Sequence, residues 1–565
     1  MSMEPGSSPS SPARRVRLVG EALGIACLAL TLNLAGNGRV GLWDRDEPRY
    51  ATCTREMRER GDWLRPTFNG EPRYHKPVLI YWLMRGGTAL GGDNPFGARL
   101  VSAFAGLGTC LLAWRLGRSI AGPTAGLIAG LALASVPIMV AESKLATTDA
   151  TLALLVASAQ ACLWVLTRRD SARAAFGFWL ALALAALLKG PVGPVLIAAS
   201  GVIWWWWGGW PACWARLRWR VGLVLFLGLT LPCYLAVGVA SRGEFFRFAI
   251  RTQIVQRVTS GMEQHGGFPG YYPVLALPTF YPWSVLAIPA LAWAWKRRRE
   301  APEFGFLLGW IVGPWLVLEC FGTKLIHYYL PAFPGCAVLV ACFVAEVARS
   351  GGGLRSWPLG RLAVRLLGSI GLGAAGFLGV AGFLVPRGLL GPCLAIGVVL
   401  GIGTAWSRVR LAEARTLAAV RGLLATWMLV MGVFVAWLLP SAEPIRLSRR
   451  AGERLGALAE RSGIRPAMMI YQEPGLVYAV GHPILDVHGY DEMALEVAES
   501  GPVLVPLLPT DLDAMRGDPR FSLRSVDSIR GYNVNKGKFQ TLEFVIVAPP
   551  GSAEIATGGE DPLVK

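Results

Sequence analysis

Apolar stretches of about 18 or more residues recur from Leu18 to Leu439, each long enough to cross a hydrocarbon core. Backbone groups in a bilayer find no water to bond, so such stretches must be helices. The pattern predicts roughly thirteen spans, near 17–36, 96–116, 120–140, 149–166, 174–188, 191–207, 221–240, 271–294, 303–321, 329–347, 363–384, 388–406 and 418–439. The almost continuous apolar run from Ala174 to Trp207 would be about 50 Å long as one helix. Lys189-Gly190-Pro191-Val192-Gly193-Pro194 interrupts it, so two helices are expected to meet there at the outer face. The tryptophans at 204–207 read as an interfacial belt.

Polar sequence is concentrated between and after the spans. Two connections, roughly 37–95 and 241–270, are much longer than a turn between helices requires. After Pro440 the pattern changes to short mixed segments. Strands are expected at Met468–Tyr471, Val503–Pro506 and Leu542–Val547, and helices at Met493–Ser500 and Thr510–Arg516. The expected architecture is therefore mainly α: a polytopic membrane bundle over 17–440 and a small α/β extracytoplasmic domain over 441–565. Residues 1–16 form a cytoplasmic tail, and no cleavable signal peptide is recognised.

Composition agrees, with 53% hydrophobic and 16% charged residues, and the formal charge is +18. The basic residues collect in every second connection, as in Arg14/Arg15/Arg17, Arg168/Arg169/Arg173 and Lys296–Arg299. That is the positive-inside signature, so the charge reports topology and not nucleic-acid binding. It puts the N-terminus in the cytoplasm and the C-terminal domain outside. The ten cysteines lie mostly within apolar spans and show no metal-ligand spacing, so neither disulfides nor a cysteine-based zinc site is expected.

The densest polar cluster follows the first span: Trp43-Asp44-Arg45-Asp46-Glu47-Pro48-Arg49-Tyr50. Asp46 before Glu47-Pro48 makes a good helix cap, and Glu47–Arg60 an interfacial helix. One cap accounts for one carboxylate, however, and a carboxylate at the membrane boundary can also remove a proton from a hydroxyl. Lys76, beside His75 and before an apolar helix, either snorkels or holds a lipid phosphate. Asp149, opening the fourth span, is either a cap or a second acid. His75, His265 and His327 map to the outer face without ligand spacing, and they fit either an aqueous edge or a metal site.

The run Asp46-Glu47-Pro48-Arg49-Tyr50-Ala51, with Gly61-Asp62-Trp63, Asn69-Gly70, Lys76-Pro77 and Tyr81-Trp82, resembles the first outer loop of one glycosyltransferase group. That group is the bacterial aminoarabinose transferase and protein mannosyltransferase-like branch of the GT-C glycosyltransferases. The resemblance continues through Thr148-Asp149, Leu188-Lys189-Gly190-Pro191, Pro282-Trp283, Lys324-Leu325 and Tyr328. It implies an enzyme that moves a sugar from a polyprenyl-phosphate donor to a hydroxyl or phosphate on lipid A or another envelope acceptor. Transfer would occur at the outer face of the cytoplasmic (inner) membrane. By resemblance Asp46 is the catalytic carboxylate, with Asp149 and Glu47 as further acids. Lys76, Arg49, Lys324 and Tyr328 attend the donor phosphate, and Tyr50, Tyr74, Tyr81 and Lys189 line the substrate cavity. His75 stands where the family has Glu, and Ile326 where it often has Pro. A divalent metal held by His75 and His265 thus stays open. A transporter or flippase of lipid-linked saccharides is the competing reading, as is a receptor or scaffold, but no repeated halves are visible.

Overall fold

A computed structural model describes residues 12–44, 46–208, 212–251 and 267–552. Among these, nine helices are long and apolar enough to span a membrane, or ten when one bent pair is counted. Every expected span has helix in it, but several are shorter than the hydropathy pattern suggests. Pro302–Glu319 has 18 residues, one fewer than 303–321, while 120–140 divides into Pro123–Ala134 and Pro137–Ser143, and 271–294 into Tyr271–Thr279 and Trp283–Arg297. The first helix begins at Pro12 instead of 17, so Arg14, Arg15 and Arg17 lie on its first turns. Residues 1–11 of the expected tail lie outside the described residues.

In chain order the first half comprises α1 (Pro12–Leu34), α2 (Asp46–Glu59), α3 (Leu79–Gly91), α4 (Pro95–Ala121), α5 (Pro123–Ala134), α6 (Pro137–Ser143), α7 (Asp149–Arg168), α8 (Ala172–Lys189) and α9 (Val192–Gly208). Their boundaries follow local chemistry. Asn94 caps α4 by accepting from the Gly97 N–H at 3.0 Å, and Ser171 caps α8 the same way. The α8–α9 break occurs where expected, at Gly190, whose positive φ of 65° suits a residue without a Cβ. A 61° bend separates α5 from α6, which brings Glu142 and the 144–148 turn beneath the first loop. The centre of the bundle is Ile326–Ser350, a span almost entirely enclosed by its neighbours. Trp204 packs on Phe306 inside the bundle. Trp205 and Trp206 are exposed, so only part of that tryptophan run is a belt.

The C-terminal region is an α/β unit, with strands close to those expected and others besides. After the hairpin strands β1 (Thr67–Phe68) and β2 (Glu71–Pro72) of the first loop come β3 (Arg465–Met468), β4 (Leu485–Asp486), β5 (Val503–Leu507), β6 (Ser522–Asn533) and β7 (Lys538–Ala548). The five form one sheet in the order β4-β3-β5-β7-β6, with β3 parallel to β4 and β5 and the β5-β7-β6 edge antiparallel. Two apolar clusters hold it. One lies under the amphipathic helix Leu447–Ser462, and the other under Tyr490–Ser500 and Pro509–Arg516.

This unit is bound to the first loop by polar contacts. Arg446 donates to the Gly41 carbonyl at 3.1 Å and lies over the Trp43 ring. Asn69 bonds Ile484 in both directions, donating to its carbonyl at 2.8 Å and accepting its N–H at 2.7 Å. Asp44 accepts the Gly475 N–H at 2.9 Å. Arg55 donates to the Tyr478 carbonyl at 3.2 Å and stacks on that ring.

Candidate functional site

α2 positions the site, and Glu47 positions α2. The Glu47 carboxylate is buried and accepts from four N–H groups: Arg99 Nε at 2.8 Å, Arg99 Nη2 at 2.7 Å, the Trp43 N–H at 2.7 Å and the Ala146 N–H at 2.6 Å. Arg99 spends its remaining donors on the carbonyls of Asn37, Val40 and Gly41. A carboxylate with two oxygens so occupied has little capacity left for a substrate proton. Glu47 therefore does not fit the role of a catalytic acid; it pins the first loop to α4 and to the turn after α6. Nor is α2 an interfacial helix with one buried face. Residues around most of its circumference are enclosed, from Glu47 to Met57.

One residue earlier, Asp46 is exposed and lines a cavity of about 1,100 Å³. The first loop also contributes Arg49, Tyr50, His75 and Lys76 to its walls. The span ends contribute Asp149, Lys189, His327 and Tyr328. The β1–β2 hairpin brings Lys76 to this position. Its Asn69-Gly70 turn has positive φ at both residues, the geometry that favours Asn-Gly in tight hairpins. Glu56 on α2 holds the turn by accepting the Asn69 N–H at 2.8 Å and the Thr67 hydroxyl.

At the floor, Lys189 donates to Asp149 at 2.6 Å, and its ammonium lies 4.8 Å from the centre of the Tyr328 ring. Both Asp149 and Lys189 are buried, and each charge compensates the other. His327 lies beside them, with Nε2 3.9 Å from Asp149 and Nδ1 3.7 Å from Glu142. Burial, with Asp46 and Tyr81 nearby, holds the Tyr50 phenol far above its ordinary range, so it acts as a neutral hydrogen-bonding group.

Three further expected site residues fall elsewhere. Lys324 pairs with Glu319 and donates to the Phe268 carbonyl, because the end of Pro302–Glu319 presents a carboxylate five residues before it. Tyr74 packs edge-on against Phe245 in a separate apolar cluster. Tyr81 is buried behind Tyr50, their ring centres 6.1 Å apart. His265 lies outside the described residues. His75 reaches the cavity and rests on the Phe248 ring. Among the described residues no group of three His, Cys, Asp or Glu side chains is placed to hold a metal ion.

Sequence reasoning named none of the residues of the roof. Leu485, Asp486, His488, Glu492 and Asn535 of the C-terminal unit close the cavity from above, together with Asp44 and Arg73 of the first loop. Burial pushes the Asp44 carboxyl up to about 6, with Glu473 adding to the rise; Ser448, Arg446 and the Gly475 N–H work against it. Burial also raises Asp486 above its usual range. Arg73 is buried, and its Nη1 has no hydrogen-bond partner. The Asn-Gly turn hinted at a hairpin, but no local signal marks the roof, since its residues lie some four hundred positions from the loop they cover.

Residues 75–235 match the family described as dolichyl-phosphate-mannose-protein mannosyltransferase. The undecaprenyl phosphate-alpha-4-amino-4-deoxy-L-arabinose arabinosyl transferase of Pseudomonas aeruginosa (strain UCBPP-PA14) is 31% identical over 344 residues, 58% of this chain and 61% of that protein. The enzyme of the same description from Edwardsiella ictaluri is 29% identical, over 56% of this chain and 57% of that one. The matches thus span about three fifths of those relatives' length. Over nearly the whole chain, the crystal structure of ArnT from Cupriavidus metallidurans bound to undecaprenyl phosphate superposes with a TM-score of 0.73 at 21% identity, covering 94% of this chain and 98% of that one. The chain has the fold of that transferase structure. In this chain the first loop, the span ends and the C-terminal unit together surround one chamber.

Proposed function

We propose that this GT-C protein moves a sugar from a polyprenyl-phosphate donor to an acceptor at the outer face of the cytoplasmic membrane. One observation carries the reading. Asp46, Arg49 and Lys76 of the first loop meet Asp149 and Tyr328 of the span ends in a single cavity. Carboxylates and cations thus share one cavity at the ends of the spans, which supports a site for a lipid phosphate.

In the proposed reaction, the acceptor oxygen attacks the anomeric carbon while the bond from that carbon to the phosphate oxygen breaks. Polyprenyl phosphate leaves with the electron pair. Asp46 takes the acceptor's proton. Lys76, Arg49 and the Tyr328 hydroxyl stabilise the charge that grows on the phosphate in a site partly shielded from water. Lys189 fixes Asp149 as the supporting acid. The donor named for the relatives, undecaprenyl phosphate-linked 4-amino-4-deoxy-L-arabinose, is the first candidate, with lipid A or another envelope glycolipid as acceptor.

The test is transfer by the purified protein in lipid. The protein is incubated with labelled undecaprenyl-phosphate aminoarabinose and, separately, other undecaprenyl-phosphate sugars, each with an envelope lipid extract. Label appearing in a glycolipid, with undecaprenyl phosphate released in equal amount, is the expected result. Label that only changes leaflet in sealed vesicles, with no product, would favour a flippase and overturn the transferase reading.

A further inference from the structure

Glu142 is buried at the end of α6, outside the cavity lining and outside the roles assigned above. Its Oε2 accepts from the Thr147 hydroxyl at 3.2 Å, and its Oε1 faces His327 Nδ1 at 3.7 Å. The opposite ring nitrogen of His327 faces Asp149 at 3.9 Å. These separations exceed a hydrogen bond but lie within strong electrostatic range. One imidazole thus stands between two buried carboxylates, with its edge in the cavity.

The charges around that ring come from every element packed on it. α6 supplies Glu142, α7 supplies Asp149, and α8 supplies Lys189. Asp46 of α2 and Lys76 after the hairpin act on it from across the chamber, and Tyr328 adjoins it. Within the enclosed floor, two carboxylates face a single ammonium. A proton on His327 would lie between two carboxyl groups, one of which already pairs with Lys189. Such an arrangement is suited to accept a proton and later release it.

We propose that His327, clamped by Glu142 and Asp149, is the proton-accepting relay of the transfer reaction. This rests on the transferase reading. The acceptor's O–H proton goes first to Asp46 as the new C–O bond forms. It then passes to a ring nitrogen of His327, which returns Asp46 to its carboxylate form. The imidazolium releases the proton to cavity water once product has left, so no proton or electron pair is left unbalanced. His327 is a positioning and relay residue, and Asp46 remains the group that touches the reacting hydroxyl.

The relay predicts a specific pH signature. At low pH the ring is already protonated and cannot accept, so turnover of the native protein should fall as pH drops through the range in which the ring takes up a proton. In His327→Gln that acid limb should move down to the carboxylate range, and turnover near neutrality should fall about ten- to a hundredfold, at the lower end of general acid–base effects. Donor affinity, measured with undecaprenyl phosphate, should stay within about twofold of the native value, because the phosphate contacts remain. Glu142→Gln removes one of the two carboxylates that favour the charged ring. It should shift the acid limb to lower pH by about one unit while keeping the histidine, a displacement that a merely structural role for His327 would not produce. A native acid limb retained in both variants overturns the relay and leaves the transferase reading in place. A native protein that makes no product at any pH overturns both.

Discussion

Asp46 and Glu47 are neighbours in sequence with the same functional group, and the fold gives them different work. Glu47 meets four N–H donors; Asp46 meets the cavity. Asp46 stands in the first turn of α2 with its side chain at the cavity, and Asn has nearly the same shape, so Asp46→Asn should leave expression and melting close to native. Turnover should fall about 10²–10⁴-fold, since the amide cannot take the proton. Product formation beside a thermal melt checks this, and near-native turnover would rule Asp46 out as the proton acceptor. Lys76→Ala should instead weaken undecaprenyl phosphate binding together with turnover, because a phosphate contact acts in the ground state as well. Glu47→Gln leaves Arg99 half-paired in a buried place, a class of change that costs about 3–5 kcal/mol. A clear loss of folded yield and a lower melting temperature are expected; an unchanged melt would show that Arg99 finds another partner. Which of the two acids would be free was not legible in the sequence, because Arg99 lies 52 positions from Glu47.

At the scale of elements, hydropathy located nearly every helix and the break at Gly190. Periodicity located two of the C-terminal strands and set a third too late, since the strand expected at Met468–Tyr471 runs from Arg465 to Met468. What it missed has identifiable causes. A run of apolar residues looks the same whether it is one span or two helices bent at a proline, as between α5 and α6. Strand β6 carries arginines and serines on a partly exposed edge, so it lacks the apolar run that marks a core strand. α2 resembled an interfacial helix because its polar residues are buried against partners rather than exposed to water. The Asn69-Gly70 turn was visible, but its second use was not. Replacing Asn69 with Ala removes both bonds to Ile484 and a residue suited to positive φ. Amide exchange at 484–486 is therefore expected to quicken in Asn69→Ala, while exchange in the spans stays native. Unchanged protection there would show that the remaining contacts hold the roof without it.

For the whole molecule, the bundle and the C-terminal unit share one chamber, and the seam between them contains a titrating group. Burial raises Asp44 from about 3.8 to about 6 in the folded chain. Between those values the folded form holds the proton more tightly than the unfolded one, so stability from this group is greatest below the unfolded pKa and is lost as pH rises through about 6. In Asp44→Asn the side-chain oxygen can still accept the Gly475 N–H, while the buried charge is gone. The variant should resist proteolysis between the two halves better than the native protein at pH 7–8. The native protein should approach it as pH falls toward 4. Equal cleavage rates at both pH values would show that Asp44 does not tune the seam.

The way the C-terminal unit is held also constrains how such proteins can be recombined. Its attachments run to Gly41, Asp44, Arg55 and Asn69, all in the same loop that carries Asp46 and Lys76. A roof grafted from a relative onto this bundle must bring its backbone at the positions of Gly475 and Ile484 within reach of Asp44 and Asn69, or it will sit askew over the chamber. The first loop and the C-terminal unit are therefore a single heritable part, although the spans separate them in the chain. A chimaera exchanging both together should fold and keep a formed chamber. One exchanging either alone should fold its spans and lose the acceptor.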